Sequence, residues 1–462
     1  MFRHCNGVLD HQDFKSNSCL IRLMVKRKPV RSLSGVTVIA LMCAPHECPG
    51  KCKYCPKGEY APQSYTGEEP AALRAKYCDY DARKQVMHRL KQYSETGHDA
   101  SKIEVVIMGG TFLSTDPEYK EGFIKGIYQA LNNSRKNDLE VLKQDNEKAL
   151  HRCVAMVIET RPDICGKEEV KEMLRYGCTR VELGAQSTND KVLRNIGRGH
   201  STSITRQAIK RLKNAGFKVD LHMMLGLPWQ NELMDFKKLW VNPDWRPDGL
   251  KIYPALVIKG TELYDDWSKG KYNPLTNELA LSKVVKVLEG IPYYVRVKRV
   301  MRDIPAKCIS AGPTWGNLRQ RAWNLMKKPC NCIRCREIGR RELKGKIKLK
   351  VRNYEASGGI EYFISYEGSN DSLIGFCRLR IIGRKAFIRE LHVYGKTVPI
   401  GEKGAGYQHK GYGSKLLSKA EDVARNKGVM DLRVLSGAGV RNYYTKHGYE
   451  LVEDYMIKNI NK

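Results

Sequence analysis

From Ser34 onward, short apolar runs recur along the chain at Val36–Met42, Ile103–Gly110, Val154–Thr160, Val181–Gln186, Val219–Leu225 and Leu250–Ile258, each followed by a polar or amphipathic stretch. Runs of that length between polar segments read as buried strands, and their alternation with helical patterns reads as βα units on a parallel sheet. Between two of them, Ser203–Ala215 sets Ile204, Ala208, Ile209 and Leu212 near helical spacing, with Gly216 as a stop. Six units describe an open, partial (β/α)6 barrel better than a closed eight-unit one. The rhythm then changes. Strands are expected at Glu361–Glu367, Leu373–Ile382 and Lys385–Val393, and a helix from Gly411 to Lys427. A strand at Asp431–Leu435, a short helix around Asn442–Lys446 and a last strand at Tyr449–Ile457 complete a separate α+β unit.

A chain of 462 residues has room for two or three domains. The pattern divides it into a short basic N-terminal segment (1–30), a barrel (31–305), a connector (306–352) and the α+β domain (353–462). The connector is where charge concentrates, since Lys327 to Arg352 holds eleven Lys/Arg against two acids. Over the whole chain 81 Lys+Arg face 50 Asp+Glu, a net +31. That excess is larger than solubility requires and points to a polyanionic partner. The longest apolar run, Val36–Cys43, is far short of the ~20 residues of a membrane span. No apolar secretory segment opens the chain, so a cytoplasmic protein is expected.

In that compartment fifteen cysteines argue for metal ligation or buried thiols rather than disulfides. Cys5, Cys19, Cys78, Cys153, Cys165, Cys178 and Cys377 stand alone and read as buried thiols. Cys48, Cys52 and Cys55 form a CxxxCxxC triplet just after the first strand. Three thiolates at this spacing can hold a cubane on one loop and leave one iron open; the other reading is a zinc site short of a ligand. Cys43 is taken as a neighbour. With Tyr54 before the last cysteine, the motif resembles the radical S-adenosylmethionine (SAM) superfamily. That likeness implies a 4Fe–4S cluster whose open iron binds SAM. It also places Gly109, Gly110 and Thr111, after the second strand, near the SAM amino group. Glu182–Ser187, including Gln186, and His222–Pro228 then sit at strand ends lining the barrel top, with core packing as the other reading.

Gln408-His409-Lys410-Gly411-Tyr412-Gly413 lies at a strand-to-helix junction and resembles the QxxGxG loop of the GNAT acetyltransferases. Backbone N–H groups at a helix start favour an anion such as the CoA pyrophosphate. Tyr443 and Tyr444 follow on a short helix; either could polarise a thioester, and one of them could simply pack in the core.

A radical SAM barrel joined to a GNAT domain resembles the Elongator catalytic-subunit family, in its stand-alone prokaryotic or archaeal form. The likeness runs from about Val30 to Lys458, most specifically over Cys48–Pro56, Gln63–Gly67, Met108–Phe112, Ile158–Asp163, Arg302–Pro305, Arg389–Gly395 and Arg441–Tyr444. It implies an enzyme of the transfer RNA wobble uridine that forms 5-carboxymethyluridine from acetyl-CoA and a SAM-derived deoxyadenosyl radical. It further implies that Lys102, Glu390, Leu391, His392, Val393, Tyr412, Gly413, Ser414 and Tyr444 contact acetyl-CoA, together with Gln408 and Gly411 of the loop. Because Lys102 belongs to the barrel, acetyl-CoA would bridge the two domains. The tRNA anticodon region is the expected partner, with room for homo-oligomers or Elongator-like subunits.

Lys327, Lys328, Arg334, Arg336, Arg340, Arg341, Lys344, Lys346, Lys348 and Lys350 are the leading phosphate contacts. Within them Cys330, Cys332 and Cys335 have zinc-like spacing, with Cys308 a candidate fourth ligand. Lys26-Arg27-Lys28 and Arg31 read as the remnant of a longer basic N-terminal region. A protein-lysine acetyltransferase with a structural cluster, and an RNA-binding scaffold, are the competing readings.

Overall fold

A computed structural model describes residues 35–395 and 410–461. Seven strands form one parallel sheet in sequential order: β1 (Thr37–Met42), β2 (Lys102–Met108), β3 (Arg152–Thr160), β4 (Arg180–Gln186), β5 (Lys218–Leu225), β6 (Gly249–Pro254) and β7 (Arg296–Val300). Six are the expected strands, and together they make the open barrel. The seventh escaped the apolar pattern because three of its five residues are basic. Crossover helices cover the outer face, and their starts are fixed by side chains. Asp81, Asp116, Ser201, Asn231 and Thr276 each accept a hydrogen bond from a first-turn N–H. No helix among the described residues is long and apolar enough to cross a membrane.

The second sheet runs in the order β13-β14-β12-β11-β10-β9-β8. Its strands are β8 (Lys348–Ala356), β9 (Gly359–Glu367), β10 (Leu373–Ile382), β11 (Lys385–Val393), β12 (Asp431–Val434), β13 (Glu450–Val452) and β14 (Tyr455–Asn459). β8 begins inside the basic stretch: Lys348, Lys350 and Arg352 alternate with Leu349 and Val351 on an edge strand, a use of lysine that discourages edge-to-edge pairing. The single last strand expected at Tyr449–Ile457 is instead a hairpin, turning at Glu453 with φ +52°. β11 and β12 are parallel, yet they pair only from Ala386–Ile388 to Leu432–Val434. Beyond that point β11 runs on to Val393 with a wedge open beside it.

The two sheets share one body. A single apolar cluster takes in Val181, Phe217, Leu250 and Val295 of the barrel with Phe363, Phe376, Leu435 and Ala438 of the second domain. Tyr294 stacks on Tyr354 across the junction at 4.0 Å. The contacts all fall on the N-terminal ends of the barrel strands. Arg389 donates to Asp248 at 2.6 and 2.8 Å, to Glu361 at 2.7 Å and to the Phe217 carbonyl at 2.8 Å. Arg378 reaches the Tyr294 carbonyl at 2.6 Å, and Arg380 reaches Asn214 at 2.6 Å. Lys213 closes the group 3.4 Å from Asp248, its ammonium pushed down to about 8 by burial despite Asp248. Burial alone would raise the Asp248 carboxyl, but Arg389 and Lys213 outweigh it and hold Asp248 well below the carboxylate range.

Removing the Asp248 charge takes a carboxylate from three buried cations, Lys213, Arg378 and Arg389. Asp248→Asn is expected to cost about 3–5 kcal/mol, read as an earlier urea midpoint. Because the folded pKa is depressed, this stabilisation is present above the unfolded value of about 4 and is lost as pH falls below it. A variant with the wild-type midpoint and wild-type acid sensitivity would show that the junction does not depend on Asp248.

Candidate active site

The loop bearing Cys48, Cys52 and Cys55 leaves the C-terminal end of β1. The three cysteines are half-buried. Lys53 ties the loop down by its N–H to Ile196 (3.0 Å) and by its carbonyl, which accepts from Leu263 (2.9 Å). Tyr54 is sunk into an apolar cluster with Leu193, Ile196, Met224 and Tyr272. Arg198 donates to Cys52 Sγ at 3.4 Å, to the Gly184 carbonyl at 2.6 Å and to His200 at 3.1 Å. His200 can accept because burial and Arg198 push it down to about 4, leaving it neutral. Gly50 has to be glycine, since a Cβ there would lie 1.8 Å from Arg161 Nη1.

The zinc alternative can be tested on geometry. A tetrahedral ion with bonds of ~2.3 Å gathers its sulfurs to about 4 Å. Among the described residues two groups converge within 4.8 Å, Cys330/Cys332/Cys335 and Glu159/Glu182/His222. The loop triplet is not among them.

Gly109 and Gly110 both have positive φ, +122° and +76°. A side chain on Gly109 would meet Cys43 Sγ at 2.6 Å, and that thiol donates to the Gly109 carbonyl at 3.1 Å. Burial pushes Cys43 up to about 12, so it is a structural thiol here. Thr111 is buried, its Oγ1 3.9 Å from Cys48 Sγ, and His46 bridges the Ala44 and Thr111 carbonyls at 3.1 Å each. Gln186, at φ +67°, ends β4 beside Arg198.

Below this mouth the barrel lumen is charged. Lys251 of β6 reaches Glu159 of β3 at 2.8 Å, spanning the two strands between them, and also binds Glu182. Glu182 is 2.9 Å from His222, and Tyr65 beneath the cysteine loop donates to Glu159 at 3.4 Å. One layer deeper, Arg180 forms a two-pronged pair with Glu104 (2.9 and 2.8 Å) and approaches Asp220 at 3.4 Å, which Lys298 also meets at 3.4 Å. Sequence reading missed most of these groups. Their signal is present as charge at every second position of apolar strands: Lys102 and Glu104, Arg180 and Glu182, Lys218 and Asp220, Arg296 and Lys298. Alternate residues share a face, so this pattern marks a polar interior.

At the floor, β11 turns Glu390 and His392 toward the barrel, while Leu391 and Val393 pack on the acetyltransferase-like core. Burial would raise Glu390, but Arg378, donating at 2.8 Å, and Lys218 bring it to about 2. His392 lies 4.4 Å from the Tyr394 ring, its Nε2 buried without a hydrogen bond. Gly411, at φ +77°, precedes the helix Tyr412–Arg425, and Ser414 contacts His447 at 3.3 Å. A Cβ on Gly413 would meet the Tyr443 hydroxyl at 2.9 Å. Tyr443 thus borders the wedge, whereas Tyr444 is the core member of the pair, buried against Tyr449. Lys102 opens β2 at this same barrel end; burial and then Arg152 lower its pKa. Gln408 lies outside the described residues, as do Cys5, Cys19, Lys26, Arg27, Lys28 and Arg31.

Cys330, Cys332 and Cys335 are buried together, and Arg319 donates to Cys332 at 3.6 Å and to Cys335 at 3.4 Å. Cys308 sits elsewhere, against Leu256, Ile258, Met301 and Ile304, and does not complete the triplet. The basic stretch needs a correction. Arg336 is 1% exposed and pairs with Glu367 at 3.0 Å, Lys350 binds Glu367 and Asp371, and Arg334 donates to the Lys298 carbonyl. These side chains hold the fold. Lys327, Lys328, Lys344, Lys346 and Lys348 remain exposed.

Family models match the chain in three consecutive stretches: the Radical SAM superfamily over residues 44–237, the Radical SAM C-terminal domain over 247–328 and the Acetyltransferase (GNAT) family over 335–449. The chain is 45% identical over 458 residues to the tRNA uridine(34) acetyltransferase of Dehalococcoides mccartyi (strain CBDB1), covering 94% of this chain and all of that one. It is 43% identical to the enzyme of that name from Methanocaldococcus jannaschii (98% and 89% covered), and 41% identical to Elongator complex protein 3 of Saccharomyces cerevisiae (94% and 85%). Among solved structures, the archaeal Methanocaldococcus infernus Elp3 with an N-terminal deletion superposes with a TM-score of 0.82 at 38% identity, over 93% of this chain and all of that one.

Arg198 is the cation that orients Cys52. Arg198→Ala is expected to lower iron and sulfide retained per chain several-fold after anaerobic reconstitution, with an unchanged far-ultraviolet dichroism spectrum. Full retention of iron would mean that the cysteine loop holds its shape without Arg198.

Proposed function

Since the chain belongs to the family of the tRNA uridine(34) acetyltransferases and Elongator complex protein 3, we propose that it modifies carbon 5 of the tRNA wobble uridine, leaving a carboxymethyl group. The observation that carries this reading is the placement of the two half-sites. A cysteine loop of the radical SAM kind caps one end of the barrel, an acetyltransferase wedge closes the other, and one charged lumen runs between them. Carbon 5 of uracil is not an amine, so ordinary acyl transfer has no nucleophile to use. When bound to the Cys48/Cys52/Cys55 loop, a 4Fe–4S cluster with SAM supplies a carbon radical, a species able to act on an acetyl methyl group.

The protein's own contribution is positioning. Gly109, Gly110, Thr111 and Gln186 border the SAM side, packed against the cysteine loop. On the other side, β11 runs past its last pairing with β12 at Ile388, and the amides of a pantetheine arm can add beside Arg389–His392 as a strand would. The N–H groups of Tyr412, Gly413 and Ser414 open a helix and suit the CoA phosphates. Lys102 supplies a cation from the barrel side. The lumen between is lined by fixed ion pairs that need no reorganisation when charge moves.

Five exposed lysines of the connector and β8 offer a tRNA backbone contact, and an unstacked anticodon base can enter a pocket that a paired one cannot. Cys330, Cys332 and Cys335 are the donor set of a structural zinc site. Burial opposes ionisation of Cys332, but its two cysteine neighbours and Arg319 favour the thiolate, the form that binds metal.

Anaerobic reconstitution with tRNA, SAM, a reductant and acetyl-CoA should yield 5-carboxymethyluridine on nucleoside mass spectrometry. Cys52→Ala should abolish the product and leave tRNA binding intact. Acetylated lysine in a protein partner, formed without SAM, would instead favour the lysine-acetyltransferase reading. Affinity for tRNA should fall steeply as salt rises, and a flat response would exclude the lysine surface. Elemental analysis should find about one zinc per chain, lost in Cys332→Ser together with thermal stability; a zinc-free, equally stable wild type would refute the connector site.

A further inference from the structure

Leaving a carboxymethyl group requires a thioester to be hydrolysed, and a base for the attacking water is needed. Several buried polar atoms among the described residues lack a hydrogen bond. Most of those near the lumen are nonetheless neutralised by an opposite charge: Arg180 Nε and Asp220 Oδ2 lie 3.4 Å apart, Glu337 Oε2 is 2.8 Å from Arg296, and Arg378 Nη1 is 3.6 Å from Asp248. Two are left at the end of β11, one on each face of the strand: His392 Nε2, and the Tyr443 hydroxyl with Ser414 beside it.

The other titratable groups there are spoken for. Glu390 is held by Arg378 at 2.8 Å. His447 is engaged with Ser414, and burial raises Tyr443, which makes it a donor rather than a base. A buried polar atom without a partner costs roughly 1–3 kcal/mol. At the mouth of a wedge, such an atom is the signature of a group waiting for a ligand.

We propose that His392 is the base that takes the proton from the water attacking the acyl carbon of a CoA thioester lying along the end of β11. This rests on the acyl-CoA reading of the wedge. The water oxygen forms the new C–O bond as the C–S bond breaks. The proton held on Nε2 passes to the departing thiolate, giving the carboxylic acid and free CoA with no change of oxidation state. The facing groups leave the imidazole neutral: burial lowers its pKa to about 4, with Glu390 and Glu337 working against that fall and Arg296 and Lys218 adding to it.

The test uses the full chain with acetyl-CoA and tRNA but no SAM, and follows the free thiol. His392→Gln is expected to slow thiol release at least ~100-fold, in the range of a lost general base. The loss should persist at saturating acetyl-CoA, as a fall in kcat rather than a rise in KM. In ligand-free wild type, nitrogen-15 spectra of labelled histidine should show His392 neutral down to pH 5. Undiminished thiol release, a loss that saturating acetyl-CoA restores, or an imidazolium at pH 7 would each overturn the assignment. A wild type that does not bind CoA would overturn the acyl-CoA reading itself, and this inference with it.

Discussion

Burying the guanidinium of Arg389 between two sheets would be prohibitive were it not enclosed by Asp248 from the barrel and Glu361 from β9. That pairing dictates how the halves of the molecule meet. Asp248 stands just before β6, so the second sheet has to press on the N-terminal ends of the barrel strands. Arg378, Arg380 and Lys213 follow the same geometry, each finding a partner on the far side of the junction, Lys213 in Glu361 at 3.7 Å. Breaking a buried pair costs more than forming it gains, which makes such a junction specific before it makes it strong. The relative orientation of the two half-sites is therefore set by electrostatics as well as by the apolar cluster that spans them.

The placement has a consequence inside the barrel. Closed parallel barrels fill their interior with branched apolar side chains. This open one instead holds Glu159, Lys251, Glu182, Arg180, Glu104, Asp220 and Lys298 in a continuous run of ion pairs. Sealing its floor with β11 keeps bulk water from that end. Opposite charges then interact in a low effective dielectric, where fixed dipoles and charges act most strongly on a reacting group. Glu390 joins the run from the acetyltransferase side through Lys218 and Arg378, so the lumen is electrostatically continuous from one chemistry to the other.

Legibility in the sequence followed where the physics was local. Six barrel strands showed as apolar runs, and the cysteine loop and the glycine loop as spacing. β7 did not, because a strand facing a charged lumen carries Arg296, Lys298 and Arg299 and breaks the apolar pattern. β8 was hidden for a related reason: an edge strand tolerates lysine at alternate positions. Arg336 looked like surface charge because its partner, Glu367, is distant in sequence. Cys43 and Gly109 form one packing unit that only the fold brings together. Nothing local distinguished Tyr443 from Tyr444; burial against Tyr449 separates them.

The internal pairing also changes what the net charge means. Glu104, Glu159, Glu182, Asp220, Asp248, Glu361, Glu367 and Glu390 each meet at least one Lys or Arg inside the molecule. The interior is thus close to neutral, so among the described residues the basic excess is carried almost entirely by side chains outside the core. Acids and bases are drawn together into the lumen and the junction, so burial leaves the net charge outside the core almost unchanged. The same constraint that pairs charges inside the barrel leaves the basic excess outside the core, and an RNA backbone responds to that outer surface.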